Sequence, residues 1–188
     1  MVWCSIFRSS AVGACLVLAL AGASGGEALA QSSGPVTAEV EQHGKRAPDT
    51  IAVRLGIINY LGEGLSPVSI AGAWAGNARA RSYSSGTCCV SVPRQWKPGM
   101  TLRVEWNSDS MYLRGEKKLV GVDAPVLPYE PFHDGYVWAV FLPGGEVFVQ
   151  PWGGAPGAEG FLQGLPAPHE KPTEADFRAF IERNKPEK

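Results

Sequence analysis

Residues 136–150 read Tyr136-Val137-Trp138-Ala139-Val140-Phe141-Leu142, then Pro143-Gly144-Gly145, then Glu146-Val147-Phe148-Val149-Gln150. Two β-branched and aromatic runs of strand length around a Pro-Gly-Gly turn are the signature of a β-hairpin. Working outward, Leu102, Val104 and Trp106 alternate with Thr101, Arg103 and Glu105, and Ile51, Val53, Leu55 and Ile57 alternate with Ala52, Arg54 and Gly56. Alternation of this kind predicts strands with one face buried. Val68 and Ile70 mark a short strand, and Cys88, Val90 and Val92 mark another that Pro93 ends. Tyr112–Arg114 and Lys118–Val122 read as a pair of short strands around Gly115-Glu116, and the segment 95–99 reads as a turn. Residues 72–86 are small and polar and read as a long loop. Near the end of the chain, Thr173 stands three residues before Asp176, and Phe177, Phe180 and Ile181 share a helical face. That pattern predicts an N-cap at Thr173 and a helix over about 174–184. Together these elements give an all-β fold: an antiparallel β-sandwich or open barrel of about seven short strands with one short C-terminal helix.

The chain has 188 residues and a formal net charge of −1. Such a balance argues against nucleic acid or an anionic membrane as partner, because both require a basic excess. Hydrophobic residues at 45% support a packed core. The opening residues carry Arg8, then the apolar run Ala11–Ala23, then Ala28-Leu29-Ala30 before Gln31. The run is shorter than the roughly 20 residues that span a bilayer, and small residues at Ala28 and Ala30 suit signal peptidase. The resulting organisation is a signal peptide over 1–30, an N-terminal arm over 31–49, a β domain over 50–166, and a linker with the C-terminal helix over 167–188. A cleaved signal implies export and a periplasmic or envelope location. Val12-Gly13-Ala14-Cys15 is a weak lipobox inside the apolar run, so no membrane anchor is expected there.

Cys4 and Cys15 fall within the signal, leaving the adjacent Cys88 and Cys89 as a structural or redox pair. Regular strand geometry would send their side chains to opposite faces, with Cys88 on the apolar side, and this favours reduced, packed thiols; a vicinal disulfide would demand a local kink. His43, His133 and His169 lie in loop sequence without ligand spacing, so no metal and no cofactor is expected. Beyond residue 30 there is no G-x-S-x-G elbow and no phosphate-binding glycine loop. No catalytic set emerges, and a binding role is the better expectation. Arg79, Arg81 and Tyr83 in the long loop, with Trp74 close in sequence, are the residue types that anchor protein interfaces. Trp106 and Trp138 are expected in the core.

Ile58-Asn59-Tyr60, Gly86-Thr87-Cys88-Cys89-Val90-Ser91-Val92-Pro93, Trp96-Lys97-Pro98-Gly99-Met100 with the strand to Trp106, and Tyr136–Pro143 followed by Val147 form a recognisable set. Over about residues 51–166 the chain resembles the proteobacterial domain-of-unknown-function family DUF3304. The resemblance implies an exported envelope protein, and carries no catalytic residues to transfer. Family members often look like lipoproteins with a Cys at the signal end, which this chain lacks. Some stand near type VI secretion genes and toxins, which implies an immunity role with a toxin or effector as the protein partner. The first reading is therefore a non-enzymatic periplasmic binding protein acting in immunity. The alternatives are a structural or accessory envelope protein and a small thiol-dependent enzyme.

Overall fold

The computed structural model describes residues 49–185. The expected signal peptide, the weak lipobox read at Cys15, His43 and the arm up to residue 48 lie outside the described residues. Eight strands form two four-stranded sheets. In chain order the elements are β1 (Thr50–Asn59), β2 (Leu65–Ile70), β3 (Ala73–Ala78), β4 (Ser82–Pro93), β5 (Thr101–Ser108), α1 (Asp109–Leu113), β6 (Val120–Pro125), β7 (Tyr136–Phe141), β8 (Val147–Trp152) and α2 (Glu174–Asn184). One sheet has the order β4-β1-β7-β8 and the other β3-β2-β5-β6. The arrangement is a sandwich, as the alternating segments predicted, and not a closed barrel.

Three expectations about the strands are corrected. First, β1 and β7 pair in parallel, Leu55 against Val137 and Ile57 against Ala139, whereas the other pairs are antiparallel. The chain leaves β1, builds the second sheet and returns, so the strand that closes on β1 arrives running the same way. Second, residues 72–86 are not a long loop: β3 and the start of β4 occupy most of them, with a tight turn over 79–81. Small residues such as Ala75, Gly76 and Ala78 hid the strand from a reading that weighs large apolar side chains. Third, Tyr112 to Arg114 is not a strand; it lies in and just after α1, capped at Ser108.

In the first sheet, β7, β8 and the second half of β1 are buried on both faces, while β4 stays largely exposed. Val53, Leu55 and Ile57 of β1, with Val137, Ala139 and Phe141 of β7, face the second sheet and meet Val68, Ile70 and Val104. Ile58, Trp138, Val140, Leu142 and Phe148 face the other way, against Phe161, Leu162, Leu165 and Phe180 from the C-terminal segment. Burial on two sides explains why residues 136–142 are apolar without interruption, while β5 alternates. The outer face of the second sheet is open: Arg103 lies between Glu105 and Asp123, 3.7 Å from each.

Cys88 and Cys89 are joined in a vicinal disulfide and both are exposed, so the expectation of reduced, packed thiols does not hold. The register shows how. Val53 pairs with Val90 and Leu55 with Thr87, so Arg54 alone faces both cysteines. The extra residue is a β-bulge, which breaks the alternation that would have kept the two side chains apart.

Candidate functional site

Strands β1 and β7 end together at Asn59 and Phe141, and Leu65 pairs with both Ser108 and Ala78. The turns after β1, β3, β5 and β7 therefore gather at one pole of the sandwich. Asn59, fully buried, organises it. Its Nδ2 donates to the carbonyls of Glu63 (2.8 Å) and Arg79 (2.9 Å), and its Oδ1 accepts from the Leu61 amide (2.9 Å). Arg81 N–H donates to Leu61 O at 3.1 Å. One side chain thus satisfies the backbone of two turns, which a buried amide must do to offset its own desolvation.

The turn after β1 in turn holds α1. The Glu63 carboxylate accepts from the Ser110 amide at 2.8 Å, and the Asp109 carboxylate accepts from the Gly64 amide at 2.8 Å. Gly64 is required for this approach, since a Cβ there would come within 2.8 Å of Asp109 Oδ2. Asp109 N–H donates back to Gly64 O at 3.1 Å, and Asn107 Nδ2 donates to Glu116 O at 2.8 Å. Met111 points into the protein as an apolar anchor. The Ser110 amide, followed by the Ser110 and Ser108 hydroxyls and the Arg114 charge, holds the Glu63 carboxyl below its usual value despite some desolvation.

This framework presents two large apolar side chains to water. Tyr112 is 77% exposed and Leu113 is 83% exposed. Arg114, tied to Glu116 at 2.7 Å, and the exposed Lys117 and Lys118 follow in the same turn. Arg79 and Arg81 stand exposed on the neighbouring turn, so the structure places this pair beside a surface that the sequence reading missed. The signal that could have found it is the apolar pair at 112–113 within a stretch too polar for a strand.

The four residues singled out from the sequence do not form one cluster. Trp74, 59% exposed, lies on the outer face of the second sheet, because its neighbour Ala75 points into the inter-sheet core. Tyr83, 45% exposed, sits edge-on to Trp138 at 6.3 Å on the outer side of the first sheet. Trp138 is buried as expected, and Trp106 is half-buried against Phe141 at 5.1 Å. Among the described residues no three His, Cys, Asp or Glu side chains gather as a metal site requires, and no helix is long and apolar enough to cross a membrane.

The family model described as protein of unknown function DUF3304 matches residues 58–149. The match runs from the end of β1 into β8 and takes in the pole, the cysteine pair and the hairpin from which the fold was first read. It is shorter than the 51–166 expected, and it leaves out the segment that covers the first sheet. No curated protein and no solved structure matches the chain.

Proposed function

Given the match of residues 58–149 to the DUF3304 family model, we propose that the chain is an exported, non-enzymatic binding protein that recognises a protein partner with the pole built on Asn59. The observation that carries this reading is the pair Tyr112 and Leu113, held 77% and 83% exposed on a segment fixed by five hydrogen bonds to and from its neighbours. Large apolar side chains kept in water by a rigid frame are a feature of interaction sites. Burying each against a partner is worth roughly 1.5–3 kcal/mol, and a frame already ordered loses little entropy on association. Arg79 and Arg81 add guanidinium anchors on the adjoining turn, which widens the surface towards the roughly 800 Å² that a stable complex buries on each side. The signal peptide expected over residues 1–30 supports export. The family setting gives the reading its specific form: immunity, by occlusion of a toxin that reaches the same compartment.

The test pairs Tyr112→Ser with Leu113→Ser in the full-length protein, and separately Arg79→Ala with Arg81→Ala. Exposed substitutions shift stability by about 0.5 kcal/mol or less each, so the thermal midpoint should stay close to that of the parent. Proteins encoded beside this chain's gene are expressed as candidate partners. The apolar double variant should lose at least about thirtyfold in affinity, corresponding to roughly 2 kcal/mol, and should fail to protect cells from a partner that is toxic. Undiminished affinity in both variants would move recognition away from this pole.

A further inference from the structure

The opposite pole carries a groove of about 580 Å³, within the range of about 300–1,000 Å³ typical of small-ligand sites. It lies between the turn that precedes β5, the end of β6 and the last turn of α2. Val126 and Leu127 form its floor, and Trp96, Met100 and Pro125 its walls. The Trp96 ring is fixed in place, because its Nε1–H donates to Val126 O at 2.8 Å. The wall is thus set before any ligand arrives.

The rim differs in kind from the floor. Arg183 donates from Nε to Gln163 Oε1 at 3.3 Å, and Gln163 Nε2 donates to Asn184 Oδ1 at 2.9 Å. These bonds orient the guanidinium while leaving its two terminal nitrogens without a partner among the described residues. No carboxylate pairs with it among those residues. Asp123, on the other rim, is drawn towards Arg103 at 3.7 Å. An apolar trough that ends at an oriented guanidinium, with no carboxylate on it among the described residues, complements one kind of molecule. An ammonium head would meet the guanidinium as a like charge, and a wholly polar ligand would leave the floor unmatched. We infer that this groove binds a single-chain amphipathic anion, with its apolar chain along Trp96, Met100 and Leu127 and its head group on the terminal nitrogens of Arg183.

Titration calorimetry on the purified full-length protein tests this, with dodecanoate, dodecyl phosphate and dodecyltrimethylammonium, each below its micelle-forming concentration. The two anions should bind saturably at one site, and the cation at least about tenfold more weakly. The stronger of the two anions identifies the head group as carboxylate or phosphate. Arg183→Gln should weaken the anions about tenfold without weakening the cation, and Arg183→Lys should restore part of the loss. Glutamine suits an exposed helix position, so the fold is retained. Thr101→Trp, at an exposed lining position, should block all three ligands by filling the groove. Equal binding of anions and cation, indifference to Arg183→Gln, or binding that survives Thr101→Trp would each overturn the inference. So would an apolar tetrapeptide with a free C-terminal carboxylate that binds where dodecanoate does not, or dimerisation that Thr101→Trp abolishes.

Discussion

At Gly56 a single missing methyl decides the packing of the outer core. A Cβ built there would overlap the six-membered ring of Trp138. That indole has no room to retreat: Tyr136 lies 4.9 Å away between ring centres, Phe161 6.1 Å and Tyr83 6.3 Å. Gly56→Ala should therefore destabilise the protein by about 1–3 kcal/mol, the usual cost of overpacking a filled core. A lower urea midpoint with an unchanged slope would show it, and an unchanged midpoint would mean that the indole moves freely. The sequence placed Trp138 in the core and Gly56 on the open face of its strand, because alternation identifies faces and not which neighbours cover them. The cysteines mark the same limit. Their adjacency was plain, and the alternatives of opposed thiols or a kinked disulfide could both be stated. Choosing between them needed the register of β1 against β4, where Arg54 faces two residues.

At the scale of elements, α2 was legible and α1 was not. The Thr173 hydroxyl accepts from the Asp176 amide at 3.3 Å while the Asp176 carboxylate accepts from the Thr173 amide at 2.7 Å, and the helix spans Glu174–Asn184 with Phe180 buried against Phe148. Cap and apolar face are both local signals. The Gly/Pro-rich stretch before it carries no strand or helix pattern, yet Phe161, Leu162 and Leu165 fill the outer core. Isolated apolar residues among glycines and prolines carry no period to read. For α1, Ser108 caps the helix locally, but a partner 47 residues away holds it: Glu63, bonded to the Ser110 amide. This contact also makes the tip acid-sensitive. The folded state holds the Glu63 carboxyl below its usual value of 4.5. A lowered value means that the contribution is complete above the ordinary glutamate range and is lost as pH falls through the folded value. Hydrogen-exchange protection of the Ser110 amide should accordingly drop between about pH 6 and about pH 3, after correction for intrinsic exchange. Glu63→Gln keeps an acceptor oxygen, so it should retain protection at pH 6 and flatten the acid response. A response that persists in Glu63→Gln would assign it to another carboxylate.

Over the whole molecule, the two poles face away from each other along strands as long as the ten residues of β1, roughly 30 Å at about 3.3 Å per residue. One pole offers exposed apolar side chains on a segment fixed mostly by bonds between side chains and backbone, and the other an apolar groove with Arg183 at its rim. A net charge of −1 conceals this division, because Arg79, Arg81, Lys117 and Lys118 gather at one end while the composition sums to near neutrality. Besides the strands, which run from pole to pole, α2 contributes a residue to each end. Phe177 in its first half packs edge-on to Tyr60 at 5.3 Å, beside the turns of the first pole, and Arg183 in its last turn serves the groove. Sites further apart than about 7–10 Å that share no partner contribute independently, and α2 is held by Phe180 between its two ends, which limits any shift that could link them. The tip variant with Tyr112→Ser and Leu113→Ser should thus bind dodecanoate within about twofold of the parent. Arg183→Gln should likewise leave recognition at the first pole unchanged, and saturating dodecanoate should not alter partner affinity. Calorimetry on each variant, with and without the second ligand, measures this. A reciprocal change of fivefold or more, the lower end of coupling between distinct sites, would instead make α2 a conduit between them, and its docking through Phe180 would then become the element that both ligands bias.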